Sequence, residues 1–67
     1  MEDLNIYEMN YSCSPGGVDG YEVYTAETFE IVGKFVTLAD AVDFCYKRGV
    51  RFTVHPLEVW EREHARA

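Results

Sequence analysis

Apolar and polar residues alternate in four short segments of the chain, which is the pattern of strands that are half buried in a sheet. In the first segment Tyr7, Met9 and Tyr11 share one side, while Glu8 and Asn10 share the other. The alternation predicts four β-strands, at residues 4–12, 21–27, 29–36 and 50–55. Between the first two lies a run of Ser, Pro, Gly and Asp over residues 14–20, and this composition predicts a loop.

The third segment contains a glycine within an otherwise regular strand pattern. Phe29, Ile31, Gly33 and Phe35 fall on one face, and Glu30, Val32, Lys34 and Val36 fall on the other. A glycine inside a strand often marks a bulge or a place where another group approaches the backbone closely. We therefore expect an irregularity in the sheet at Gly33.

A helix is predicted over residues 38–48. Thr37 is the expected N-cap with Asp40 three residues later, and Gly49 is the expected C′ residue. The apolar stripe has the i, i+3, i+4, i+7 spacing and consists of Leu38, Ala41, Val42 and Cys45. Pro56 can begin a second, shorter helix over residues 57–65, with Leu57, Trp60 and His64 on one side.

This order of elements, βββαβ followed by a short helix, predicts a single α+β domain over residues 1–67. The simplest arrangement is a four-stranded antiparallel sheet with the longer helix packed on one face and the short helix at the C-terminal end. With one amphipathic helix against the sheet, the opposite face is expected to remain partly open. The chain has 67 residues, of which 48% are hydrophobic and 15% are aromatic, so it can bury a small core despite its length.

The ends and the cysteines of the sequence suggest where the protein is found. The first residues are acidic, and no apolar run reaches the length of a signal sequence or a membrane span, so we expect a soluble cytoplasmic protein. Cys13 and Cys45 are then expected to be reduced thiols and not a disulfide. If the protein is encoded by a phage, the cytoplasm is that of the bacterial host.

Residue types that could carry chemistry are present, but their spacing does not favour a site. Cys13, Cys45, His55 and His64 lack the short Cys–Cys and His–His spacings of zinc sites. A Cys45 nucleophile with His55 as its base would lack an oxyanion hole and an orienting third group in the sequence. The sequence therefore predicts a protein with no catalytic residues, no metal site and no cofactor.

Charge is the most informative functional feature. The net charge is −6, and residues 1–43 contain nine acidic residues and one basic residue, whereas residues 44–67 contain three acidic and five basic residues. Such a surface should repel nucleic acids and anionic membranes and attract a basic protein. In the predicted strands Glu8, Glu22 and Glu30 point away from the core, as a possible array of carboxylates at the spacing of phosphates. We expect a contact surface that also includes Tyr24 and Phe44 as aromatic anchors and the helix residues Asp40 and Asp43. The alternative for Phe44 is that it packs under the N-terminal segment.

Two functions are expected from the charge and the predicted fold. The first is a non-enzymatic acidic protein-binding module. In size and charge the chain resembles phage-borne inhibitors of bacterial defence, such as anti-CRISPR or anti-restriction proteins, and this resemblance implies occupation of a basic nucleic-acid-binding or effector surface on the partner. The second is a small structural or assembly subunit that acts by homodimerisation or by addition of a strand to an open sheet edge. In the second function the acidic face is solvated and serves only solubility.

Overall fold

The computed structural model describes residues 3–12 and 17–64, with side chains up to Arg62. Its elements are β1 (Asp3–Met9), β2 (Gly20–Thr25), β3 (Ile31–Phe35), α1 (Leu38–Arg48), β4 (Arg51–His55) and α2 (Leu57–His64). The predicted α+β class is confirmed, with its four strands, its packed helix and its short C-terminal helix. Cys13, part of the predicted loop, the side chain of His64 and the predicted helical residue Ala65 lie outside the described residues.

The four strands form one sheet in the order β3-β2-β1-β4, and the sheet is mixed. β1 pairs with β2 and β2 pairs with β3 in antiparallel fashion, but β4 runs parallel to β1. The expectation of a wholly antiparallel sheet is therefore wrong at β4. The reason is the helix between β3 and β4: eleven helical residues span about 16 Å, close to the length of a five-residue strand. The chain thus returns to the end of the sheet where β3 began, and β4 repeats the direction of β3.

The irregularity expected at Gly33 is a bulge between β2 and β3. Val23 pairs with Gly33 and Tyr24 pairs with Ile31, so one extra residue stands between the two pairs on β3. A Cβ atom on Gly33 would lie 2.8 Å from the far end of the Phe35 ring, so a larger residue here would require that ring to move. The bulge also moves Ile31 to the face opposite Gly33, and the prediction that these two residues share a face is wrong.

Helix α1 has the predicted ends. The hydroxyl of Thr37 accepts a hydrogen bond from the backbone N–H of Asp40 at 3.2 Å. Gly49 has φ = 68°, and its N–H donates to the carbonyl of Tyr46 at 3.0 Å. Both caps satisfy backbone groups that a helix leaves without internal partners.

The main core lies between α1 and one face of the sheet. Its buried members are Leu4 and Ile6 of β1, Val23 of β2, and Ala41 and Cys45 of α1. Alternate residues of β1 therefore contact the helix, and the intervening residues point to the other side of the sheet.

The second face of the sheet is covered at its centre, whereas Ile31 and Thr53 at its edges remain exposed, so this face is partly open as expected. Tyr7 is buried there, and the Trp60 ring of α2 lies 5.5 Å from the rings of both Tyr7 and Tyr24. We call this group of side chains the aromatic layer; it consists of Tyr7, Tyr24, Phe29, His55 and Trp60. Tyr7, at an odd position of β1, would be exposed to solvent on this face if α2 did not pack over it.

Candidate functional site

Glu22 is the carboxylate with the most constrained surroundings. It occupies the middle of β2 on the side of the aromatic layer, and only 7% of it is exposed. Its Oε2 accepts a hydrogen bond from the hydroxyl of Tyr11 at 2.6 Å, and its Oε1 accepts one from the hydroxyl of Tyr24. The prediction that Glu22 lies on an exposed acidic face is therefore wrong, because α2 and the tyrosines cover that face.

The two tyrosines are held as hydrogen-bond donors. Burial, together with the hydrogen bond to Glu22 and the negative charge of its carboxylate, raises the pKa of both Tyr11 and Tyr24. Both hydroxyls consequently keep their protons at neutral pH, and both oxygens of the carboxylate have a partner. A buried carboxylate that is satisfied in this way stabilises the fold. With 7% of the residue exposed, Glu22 presents little surface to a substrate.

Glu8 has a structural position as well. Its Oε1 accepts a hydrogen bond from the backbone N–H of Leu57 at 3.0 Å, across 49 residues of sequence. Leu57 is the first residue of α2, where free N–H groups and the positive end of the helix dipole favour a carboxylate. Glu8 is half buried and attaches the start of α2 to the end of β1.

Glu30 is the only exposed member of the predicted carboxylate array. It lies in the connection between β2 and β3, where its N–H donates to the hydroxyl of Thr25 at 3.0 Å and its carbonyl accepts from the N–H of Thr25 at 2.9 Å. Since Glu22 is buried and Glu8 caps a helix, these three residues do not form one exposed face. The predicted array at phosphate-like spacing is wrong.

The two predicted aromatic anchors pack against other rings. Tyr24 stacks on Phe29 with 4.4 Å between ring centroids, inside the aromatic layer. Phe44 is half buried against Phe35 at 5.3 Å, with the guanidinium of Arg48 5.2 Å from its ring centroid. Phe44 therefore packs over β3, and not under the N-terminal segment.

Prominently exposed apolar side chains occur elsewhere. Val36, just before α1, is 77% exposed, and Tyr46, near the end of α1, is 74% exposed. The sequence gives a signal for Tyr46, because a residue adjacent to Cys45 lies about 100° from the apolar stripe of the helix. The predicted contact surface included Phe44 and omitted Tyr46, which is the more exposed of the two.

Asp40 and Asp43 are exposed, and they lie in the N-terminal half of α1. The Asp43 carboxylate lies 3.0 Å from the ammonium of Lys47, and both side chains of this pair are largely solvated. Val36 and Leu38 expose apolar surface close by in the sequence. We call these four residues, Val36, Leu38, Asp40 and Asp43, the α1 N-terminal surface.

The structure separates the residues considered for catalysis. Cys45 is buried between α1 and the sheet, and burial raises the pKa of its thiol despite the nearby charge of Arg48. His55 lies on the other side of the sheet, where its ring stacks on Tyr7 at 4.7 Å and its Nε2 lies 3.1 Å from Oδ1 of Asn5. With a β-sheet between them, Cys45 and His55 cannot act as a nucleophile and its base.

The described part of the chain contains neither a metal-binding cluster nor a membrane-spanning helix. Residues 3–12 and 17–64 contain no group of three or more histidine, cysteine, aspartate or glutamate residues placed to hold a metal ion. Neither α1 nor α2 has the length and apolar character required to cross a membrane.

Comparisons with known proteins do not assign the chain. No family model matches it, and no curated protein or solved structure is significantly similar to it. The charges, contacts and exposed surfaces described above are therefore the basis for assigning a function.

Proposed function

We propose that this chain is a non-enzymatic, acidic protein-binding module that occupies a basic surface on a partner protein. The observation that carries the proposal is the excess of exposed negative charge. The described exposed residues include five with basic side chains and eight with acidic side chains, the latter being Asp3, Asp19, Glu27, Glu30, Asp40, Asp43, Glu58 and Glu61. A surface of this sign repels phosphate backbones and anionic lipids and increases the rate of encounter with a basic protein.

The α1 N-terminal surface is the part of the molecule best suited to the contact. Asp40 and Asp43 are three residues apart on a helix and hence neighbours on its surface. Val36 and Leu38 add exposed apolar area at the same end of the helix. Interfaces commonly combine a small apolar centre with charged groups that orient the partner. This surface replaces the predicted array of Glu8, Glu22 and Glu30.

The concrete form of the proposal is an inhibitor of the phage-borne type, comparable to anti-CRISPR or anti-restriction proteins. Basic surfaces of bacterial defence proteins hold nucleic acid, so an acidic module that covers such a surface would block it. The structural positions of Glu22, Cys45 and His55 favour a binding role over catalysis, since each is engaged in packing or hydrogen bonding.

The proposal can be tested with two double variants that remove the same amount of charge. Asp40→Asn with Asp43→Asn neutralises the α1 N-terminal surface, and Glu58→Gln with Glu61→Gln neutralises two exposed carboxylates on α2. Partners are captured from the cells that encode the protein, and association and dissociation rates are then measured at low and high salt. The aspartate variant should lower the association rate for a basic, nucleic-acid-binding partner about tenfold at low salt, with a smaller effect at high salt.

The control variant should keep most of the association rate, because its carboxylates lie on α2. Equal losses in the two variants would mean that total charge acts without a defined surface. The proposed function would be contradicted if both variants bound the partner as tightly as the parent chain does. It would also be contradicted if the captured partner had no basic surface.

A further inference from the structure

The two edges of the sheet differ in how well they are protected against pairing with another strand. The β3 edge is interrupted by the bulge and carries Lys34 near its middle. Bulges and lysines are the usual means by which natural sheets protect an edge. β4, the opposite edge, pairs with β1 in continuous register and has the uncharged residues Phe52, Thr53 and Val54 at its centre.

The sequence of β4 is self-complementary in polarity. From Arg51 to His55 it reads basic, apolar, threonine, apolar, basic, and it reads the same in reverse. If two copies pair antiparallel about Thr53, Phe52 of each copy lies opposite Val54 of the other. Cross-strand pairs of an aromatic with a β-branched residue, and of threonine with threonine, are favourable in antiparallel sheets. A two-fold axis makes each contact occur twice.

Apolar surface beside β4 is available for such a contact. Val54 is 39% exposed, although its partner on β1, Ile6, is buried. The Tyr46 ring lies edge-on to the Phe52 ring at 6.2 Å. Tyr46 and Phe52 border a cleft of about 510 Å³, which is also lined by Gly49, Val50 and Arg51. Val54 of a second copy would lie next to this cleft, on the same side of the sheet.

Charges also favour the antiparallel arrangement. Lys47, Arg48 and Arg51 lie where α1 ends and β4 begins, whereas Glu58 lies in the first turn of α2, just after β4. Antiparallel pairing brings Arg51, at the beginning of each β4, towards Glu58, just beyond the end of the other β4, on the side of the sheet that α2 covers. The two-fold axis makes this pair of opposite charges occur twice, even though each copy has a net charge of −6.

We propose that two copies of this chain associate through their β4 edges, antiparallel and centred on Thr53, to form a continuous eight-stranded sheet. The inference does not depend on the proposed function, because the β4 edge contains none of the residues of the α1 N-terminal surface. A five-residue edge with Tyr46 is smaller than the standard interface of about 800 Å² per partner. The dimer should therefore be weak, with a dissociation constant on the order of micromolar or higher.

The first test measures the mass of the protein alone by sedimentation equilibrium over increasing concentration. The wild type should change from a 7.7 kDa monomer towards twice that mass. Val54→Lys should weaken dimerisation at least tenfold. Ile31→Lys is the matched control, since Ile31 is an apolar residue on the other edge strand and is 44% exposed. It should leave dimerisation unchanged, and urea unfolding of each variant confirms that the monomer remains folded.

The second test reports the register directly. Residues opposite each other in an antiparallel pair have Cα atoms about 4.5–5.5 Å apart, a distance that a disulfide can span. Under mild oxidation Thr53→Cys should form a covalent dimer much faster than Ile31→Cys or the parent chain. A wild type that stays monomeric at all concentrations would overturn the proposal. The proposal would also be overturned if Ile31→Lys abolished dimerisation and Val54→Lys did not. Equal rates of cross-linking in Thr53→Cys and Ile31→Cys would overturn it as well.

Discussion

Replacing Glu22 by Gln should destabilise the fold strongly, because the substitution removes the charge that both Tyr11 and Tyr24 bind. Glutamine is nearly the same size, so the packing of β2 is retained. One amide oxygen can still accept a hydrogen bond from one tyrosine. The amide nitrogen, however, is a donor, so the second tyrosine hydroxyl can no longer donate there and must rotate to accept a weaker, neutral hydrogen bond.

The size of the effect follows from the hydrogen bonds. A hydrogen bond to a charged group contributes about 1.5–3 kcal/mol, and a neutral one contributes about 1 kcal/mol. Tyr11 is half exposed, so its bond belongs at the low end of the range. Removing a buried charge also relieves part of its desolvation cost. The net loss should be about 2 kcal/mol, which is near half of the total stability of roughly 3–5 kcal/mol expected for a domain of this size.

The measurement is urea unfolding at neutral pH, followed by circular dichroism and Trp60 fluorescence. The midpoint should decrease with little change in the m-value, and the melting temperature should fall by roughly 8–16 °C. Glu30→Gln is the matched control, because it makes the same chemical change at an exposed site and should alter the free energy of unfolding by less than about 0.5 kcal/mol. If Glu22→Gln has as small an effect as Glu30→Gln, the buried carboxylate does not hold the tyrosines as described.

The same group of residues makes stability depend on alkaline pH. Because folding raises the pKa of Tyr11 and Tyr24, their contribution is complete below the unfolded tyrosine pKa of about 10 and is lost as the pH rises above it. Unfolding measured from about pH 8 to pH 11 should show this loss, and a Tyr24→Phe variant with an equally steep loss would exclude Tyr24 as a cause. At the end of α1, Gly49→Val should cost more than about 1 kcal/mol through backbone strain at positive φ, since no atom lies within 4 Å of the added Cβ. Gly49→Asn should cost less, because asparagine tolerates this conformation, and equal urea midpoints for the two variants would contradict the C-cap argument.

Much of the fold can be predicted from the sequence because its signals are local. The limits of α1 depend on Thr37, Asp40 and Gly49, which interact with the adjacent turns of the same helix. Strand alternation likewise depends on neighbours in sequence, and it predicts all four strands with errors of a few residues at their ends. The candidate site was predicted less well: Asp40 and Asp43 are exposed, but Glu8, Glu22, Tyr24 and Phe44 are engaged in contacts within the fold.

The sequence by itself determined the element order, the helix caps, the expected bulge at Gly33 and the uneven charge. Only the tertiary structure decided the direction of β4, the cover that α2 provides for the second sheet face, and the different surroundings of Glu22 and Glu30. In the sequence both glutamates alternate with apolar residues in a strand pattern. Glu22 is buried because its carboxylate accepts hydrogen bonds from Tyr24 of the same strand and from Tyr11, eleven residues away, and because Trp60 of α2 packs against Tyr24. Burial and hydrogen bonding between distant segments depend on how the elements pack, which local patterns do not specify.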